Sequence, residues 1–477
     1  MNDDAVTLLY LPNEILCLIL ERLDPISLIS CIKVCRKLNL LAKESHIYDY
    51  KTRLALSNLE EIPVDRSVGT LTRLQRLERH QKAWDTFIWS TSEKCNLDSV
   101  RSWDLAGGVL AFGEPDNVFR FIQLPSSHRG IERKEWNFRL DFGSDTIEDF
   151  TIDPSRNLLV VLTKRTIGEK SSIDAHILSL DDGRPHTCAN TPTLCTRGQI
   201  DNVDWDYDIR SFGSHVGIIC TPSNSFDSQL SMWNWETGNL IRRVSQVDSF
   251  AFLTENLIVY APIEEEGTLG RRLIVLDLVL YPLVKLELPS FTKWSEICIH
   301  SESPPTRFEY LPNHQQVPFR VSRQDRLFAV GCRMWDNSHM DMVIFVPLST
   351  LLSHVEKARI SALVTVLEWK SWGPTATRTL PFDFPDIWVC YIHGLRAAVL
   401  NRNTSSLSGV CFDIYDLNPL LDRQREDSQE ASNSAGREPR RAISGHLPDI
   451  SPSSLMLSED ALLVVSGDET EITVYSF

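Results

Sequence analysis

The 477-residue chain reads as a multidomain α plus all-β protein. It divides into a small N-terminal module of three helices at 1–50, a helical linker at 51–84 and a seven-bladed β-propeller at 85–477. Three observations predict this. Apolar residues repeat at helical spacing between Leu8 and Tyr50. After about Phe87 the texture changes to short apolar runs bounded by polar turns, with frequent Trp, Phe and Val, as many short strands require. Those runs recur as a paired unit, seven times over.

The helices come first. Pro12 suits a first helical position, where its missing N–H costs nothing and its fixed φ is already helical. Glu14 falls in the first turn, where the helix dipole favours a carboxylate. Ile15, Leu16, Ile19, Leu20 and Leu23 then repeat at helical spacing. Asp24 and Pro25 form an N-cap and first-position pair, so the first helix stops near Leu23 and a second begins. Leu28, Ile29 and Ile32 supply its apolar face. Val34, Leu38, Leu41 and Ala42 fit a third short helix, with Lys33, Arg36, Lys37 and Lys43 alongside. Roughly forty residues bury too little surface to be very stable alone. So many leucines and isoleucines therefore imply a partner helix or a neighbouring domain; a plain helical cap on the next domain is the bland alternative.

These residues carry a resemblance. Leu11-Pro12-Asn13-Glu14-Ile15-Leu16, Ile19-Leu20, Leu23-Asp24-Pro25, Leu28 and Val34-Cys35-Arg36-Lys37 resemble an F-box, nearly position by position. Leu38 stands where many F-boxes carry Trp, and the closing aromatic is Tyr48 or Tyr50 in place of the usual Trp; both keep apolar bulk. The resemblance implies docking to the Skp-type adaptor of a cullin–RING (SCF) ubiquitin ligase and, through it, to cullin. The adaptor-binding residues it implies are Leu11, Pro12, Ile15, Leu16, Ile19, Leu20, Leu23, Leu28, Ile32 and Val34. An F-box followed by an irregular propeller resembles fungal F-box proteins.

The linker stays helical in pattern to Trp84. Leu71, Leu74 and Leu77 recur every third residue, beside a basic row of Arg73, Arg76, Arg79 and Lys82. That row reads as a solvated face more readily than as a patch for an anionic partner. Beyond it the paired units run from Val109–Phe112 with Val118–Leu124 to Leu462–Ser466 with Ile472–Phe477. Their turns match in chemistry: Asp153-Pro154-Ser155-Arg156-Asn157, Arg323-Gln324-Asp325-Arg326 and Ser458-Glu459-Asp460 precede strands. Asp182-Gly183 and Thr237-Gly238 follow strands, where glycine supplies a positive φ at little cost. Met232 to Gly238 resembles the end of a WD-type blade, but the full Gly-His…Trp-Asp signature is absent, so the units are WD-like. Blades around an axis leave only short, protected edges, which keeps so many antiparallel strands soluble. An irregular pair of β-sandwiches is the competing architecture.

Three further segments have their own expectations. The last unit needs a completing strand from the start of the domain, and Asp85 to Ser90 is the natural candidate. Asp422 to Arg441 has almost no apolar residue and reads as a disordered insert. Leu351 to Leu367 has helical spacing and reads as a surface helix or a long strand connection.

Chemistry is sparse. The net charge of −16 argues against nucleic acid as a general partner. Eleven scattered cysteines form no secreted framework, which suits a reducing cytoplasmic or nuclear compartment. No run approaches a membrane span of about 18 apolar residues. Gly267 to Arg271 lacks the Lys-Ser/Thr of a phosphate loop. Gly213 to Gly217 does not match a nucleophile elbow. Cys188 and Cys195 have no His-rich partner at zinc spacing, and His300 and His314 are isolated. The sequence therefore predicts no catalysis, cofactor or metal. It predicts a substrate receptor whose propeller recruits an unknown protein, or else a scaffold that uses the same surfaces for assembly outside a ligase. A propeller enzyme with an axial metal is a weaker third reading.

Overall fold

A computed structural model describes residues 8–62, 68–201, 203–224, 227–263, 271–290, 295–302, 319–323, 325–334, 341–361, 364–381, 391–401, 409–418, 440–448 and 452–477. Four short helices, α1 (Asn13–Arg22), α2 (Pro25–Val34), α3 (Arg36–Glu44) and α4 (Ile47–Leu56), precede a longer α5 (Thr70–Thr86). Asp24 caps α2 as its sequence predicts, accepting from the Ser27 N–H at 3.0 Å and the Ser27 hydroxyl at 2.5 Å, and Pro25 opens the helix. Two boundaries differ from expectation. Pro12 is the residue before α1, its carbonyl accepting the Leu16 N–H at 3.1 Å. Val34 closes α2 and does not join the third helix, because Cys35 is extended. Leu16, Leu20, Leu28, Leu38, Leu41, Ala42 and Ile47 form one core across α1 to α4. Leu38 is buried, and of the two candidate closing aromatics Tyr50 is buried and Tyr48 half-buried, so the departures from the family pattern keep their apolar bulk inside.

Behind the helices stand seven antiparallel sheets of four strands, one with a fifth strand added. Their first strands are Ser102–Ala106, Thr146–Asp153, Trp205–Phe212, Val247–Thr254, Ser295–Ser301, Ile392–His393 and Pro452–Leu457. The apolar pairs legible in the sequence are the second and third strands, such as Val109–Glu114 with Val118–Gln123. Both faces of these middle strands are packed, with Leu158, Leu159, Val160 and Val161 all buried in succession. Turn chemistry holds as well. Asp153 accepts from the Ser155 N–H, Asn157 takes a left-handed φ of 54°, and Gly183 and Gly238 sit at φ 70° and 77°.

The ring closes on Thr91–Asn96, which pairs with Glu471–Ser476, Thr91 opposite Ser476 and Asn96 opposite Glu471. This corrects the expectation of Asp85–Ser90: Asp85 and Thr86 finish α5, and the chain turns at Phe87, whose φ is 51°, before the strand begins. The window Leu351 to Leu367 splits into α6 (Leu348–Ser361) and the short strand Thr365–Leu367, which adds in parallel to Pro282–Glu287 as the fifth strand; α7 (Trp369–Ala376) follows. The expected insert lies outside the described residues up to 439, and Arg440 opens the last strand of the sixth sheet. His314 also lies outside them.

Helices and propeller are joined by several independent ties. Leu59–Glu61 pairs antiparallel with Phe319–Val321, and Phe319 packs with Tyr50, Leu54, Leu74 and Leu77. Trp84 of α5 stacks on Phe477 at 4.1 Å between ring centres, in a core with Phe412, Leu462 and Tyr475. Asn418 donates to the carbonyls of Ala55 and Leu56 at 3.1 and 2.8 Å, which ends α4 on the propeller. Arg73, read from sequence as part of a solvated row, instead pairs with Glu61 and with Glu21 of α1.

Candidate functional site

The ten residues expected to meet an adaptor divide by burial. Pro12, Ile15 and Val34 are exposed; Leu11, Ile19, Leu23 and Ile32 are half-buried; Leu16, Leu20 and Leu28 are in the core. The last three hold the helices together. Further apolar side chains that the family resemblance did not point to stand in solvent, among them Leu8, Tyr10, Leu18 and Leu40, with Tyr10 at 81% and Val34 at 74% exposure. Ile15 and Leu18 are three residues apart on α1 and share a side of it. Lys37 of α3 donates to the Leu9 carbonyl at 2.7 Å, which fixes the Leu8–Tyr10 turn beside the α2–α3 corner carrying Val34. Inward and outward leucines look alike in sequence, because a helix packed on one side and apolar on the other loses its polar face. Only the fold separates them.

The helical part covers one face of the propeller. His80 of α5 meets Asp460 at 3.2 Å, and Asn58 donates to the Asp325 carbonyl at 3.2 Å. Ser57, Asn58, His80 and Trp84 form a crevice with Gly394, Leu395 and Glu459. Asp325, Gly394 and Glu459–Asp460 all lie in turns between first and second strands. In an up-and-down sheet those turns share one face, so the turns between second and third strands, such as Ile167–Lys170 and Ser466–Glu471, lie on the other.

At the joint, Arg129 bridges Glu459 and Asp460 at 2.6 Å each, and Glu459 also accepts the Val321 N–H at 2.8 Å. Burial opposes ionisation of Asp460, but Arg129 and His80 hold its carboxyl down to about 2. Burial pushes Glu459 up.

A cavity of about 500 Å³ follows the propeller axis, lined from the first strands of all seven sheets. Most of its charge is balanced internally. Arg210 forks onto Asp208 with two contacts of 2.9 Å, Arg271 meets Asp248 at 3.3 Å, and His393 meets Glu302 at 3.1 Å. Asp104 accepts the Thr151 hydroxyl at 2.9 Å and the N–H groups of Ile152 and Leu105 at 3.1 and 2.8 Å. Burial drives His300 down to about 3, helped by Arg210 and Arg333, so its imidazole is neutral. Burial pushes the Cys298 thiol up to about 12. Among the described residues no cluster of three His, Cys, Asp or Glu side chains could hold a metal ion.

Asp149 stands apart. Burial, with Asp104 and Asp208 nearby, pushes its carboxyl up to about 7. A carboxyl whose folded value is raised stabilises the protein while protonated and loses that contribution as pH climbs from about 4 to 7. Asp149→Asn is therefore expected to be more stable than the parent at pH 8, by on the order of 1–3 kcal/mol after screening by cavity water, with the gap closing by pH 4. Urea unfolding at the two pH values checks this; equal stability at pH 8 would contradict it.

Residues 8–52 match the model of the F-box-like family. No curated protein matches the chain. Among solved structures, hydrazine synthase of Kuenenia stuttgartiensis is 12% identical over 82% of this chain and 99% of that one, with a TM-score of 0.42. Sqt1 of Chaetomium thermophilum is 12% identical over 80% and 84%, with a TM-score of 0.36. The propeller domain of the Trilobed protease of Pyrococcus furiosus is 9% identical over 70% and 94%, with a TM-score of 0.31. Likenesses this distant carry no argument about this chain. No helix among the described residues is long and apolar enough to cross a membrane.

Proposed function

We propose that this chain, an F-box-like domain joined to a seven-bladed β-propeller, is a substrate receptor of an SCF-type ubiquitin ligase without catalysis of its own. The observation that carries the reading is the helical module itself. It matches the F-box-like family and leaves Ile15, Leu18, Val34 and Leu40 in solvent on a unit whose core is already filled. Such exposed apolar side chains suit a partner's helices. A Skp-type adaptor would cover them and recruit cullin, while the propeller holds a protein substrate. Tethering then raises the substrate's effective concentration near the charged ubiquitin carrier. The helices occupy the propeller face with the first-to-second turns, which leaves the opposite face as the substrate side.

Co-expression with a Skp-type adaptor tests this. The parent chain is expected to elute as a stoichiometric complex on size exclusion. Ile15→Asp with Val34→Asp is expected to abolish the complex, with the melting temperature of the chain alone unchanged. Leu20→Ala is expected to act differently, removing about 2–5 kcal/mol from the helical module by leaving a cavity. A complex that survives the double charge substitution would overturn the docking face. A complex that forms yet never recruits cullin would favour the scaffold reading.

A further inference from the structure

We propose that the axial cavity receives a cationic side chain, Lys or Arg, from a protein partner, with Asp149 as its counter-ion and the Tyr207 hydroxyl as a second contact. This rests on the reading of the propeller as the partner-binding domain and names the chemistry it would recognise.

Size comes first. About 500 Å³ is within the range of ligand clefts, roughly 300–1,000 Å³, and can hold a long side chain with its stem. Charge comes next. Asp208, Asp248 and Glu302 each have a cation of their own, and Asp104 is filled by three donors. Asp149 has none of these: its Oδ1 accepts the neighbouring Phe150 N–H at 2.8 Å, and among the described residues no cation pairs with it. Arg101 lines the cavity only from its exposed rim. An anion placed inside would face Asp149 and Asp104, whereas a cation would complete Asp149.

The hydroxyl is an independent observation. Tyr207 lines the same cavity; its phenol oxygen is closed off beside it with no partner among the described residues, so a donor in the cavity meets it once the ring turns inward. A buried polar atom left unpaired is destabilising, and a bound N–H donor removes that cost. Asp149 and Tyr207 come from the first strands of adjacent blades, so one ammonium or guanidinium group between them could donate to both. The rings of Tyr207 and Trp103 give the cation aromatic neighbours on the lining. Lys and Arg side chains also carry apolar stems, which Leu105, Ile209 and Ile392 of the lining would pack.

The test titrates the full chain with blocked tripeptides, acetyl-Gly-X-Gly-amide, where X is Lys, Arg, norleucine or phosphoserine, and reads binding by calorimetry. The Lys or Arg peptide is expected to bind saturably and at least about tenfold tighter than the norleucine peptide, a difference of about 1.4 kcal/mol. Asp149→Asn, which keeps the shape, is expected to erase that preference. Tyr207→Phe, which removes one oxygen, is expected to weaken it about threefold and serves if the first variant does not fold. No preference for Lys or Arg, an unchanged preference in both variants, or tighter binding of the phosphoserine peptide would each overturn the proposal. Adaptor complex formation, measured on the same preparations, reports separately on the F-box-like domain, so failure of one reading is distinguishable from failure of the other.

Discussion

Replacing Arg129 by methionine is expected to remove about 3–5 kcal/mol of unfolding stability, measured by urea denaturation at pH 7. The guanidinium is buried and bridges Glu459 and Asp460, the two carboxylates of the turn on which α5 rests. Without it, buried Asp460 and half-buried Glu459 keep, as direct contacts among the described residues, His80 and the Val321 N–H, with His393 farther off. The loss is expected to depend on pH. Asp460 titrates near 2 in the folded chain, below its ordinary value of 3.8, so its contribution is present above about 4 and fades as pH falls towards 2. Parent and variant should therefore converge in acid. A constant difference across that window would mean that the side chain acts through packing alone. Glu459→Gln is the milder control, since Asp460 keeps its partner.

Trp84→Ala is expected to cost a similar amount, about 3–5 kcal/mol, for a different reason. Trp84 is 2% exposed and sits where α5 enters the propeller, stacked on Phe477 and packed among residues of the last two blades. Removing it opens a cavity at the seam between helices and ring. Trp84→Phe should recover more than half of the loss by refilling that space. Proteolysis separates this effect from simple destabilisation, since cleavage near 87–90 is expected to rise before the propeller core is attacked. Cleavage first in the middle strands would contradict the assignment of Trp84 to the joint.

How much of this could be read in advance follows from where side chains sit. The seven blades were legible because each second and third strand is packed on both sides and appears as an unbroken apolar run, Leu158 to Leu162 being one. First strands such as Trp205–Phe212 carry Asp206, Asp208 and Arg210 among apolar residues, since one edge faces a polar axis. Fourth strands such as Lys134–Arg139 face solvent and alternate. Neither kind announces itself. The joint was invisible for a further reason. His80, Arg129 and Asp460 are three ordinary surface residue types, drawn together across hundreds of positions, and no local pattern encodes that meeting. In the F-box-like region the helices and the Asp24–Pro25 break were legible. The division of its leucines into inward and outward was not, since Leu18 and Leu20 differ only in which way the helix turns them.

The closing strand also sets an order of events during synthesis. Thr91–Asn96 finds its partner in Glu471–Ser476, and Ser90 donates to the Ser476 carbonyl across a separation of 386 residues. His80 and Trp84 likewise wait for Asp460 and Phe477. Contacts of such high sequence separation form late. While the ribosome is still making the blades, α1 to α4 already have every residue of the core they share. An adaptor present in the same compartment could therefore engage the nascent chain before the ring exists. On the receptor reading proposed above, docking of the helices would then precede closure of the ring.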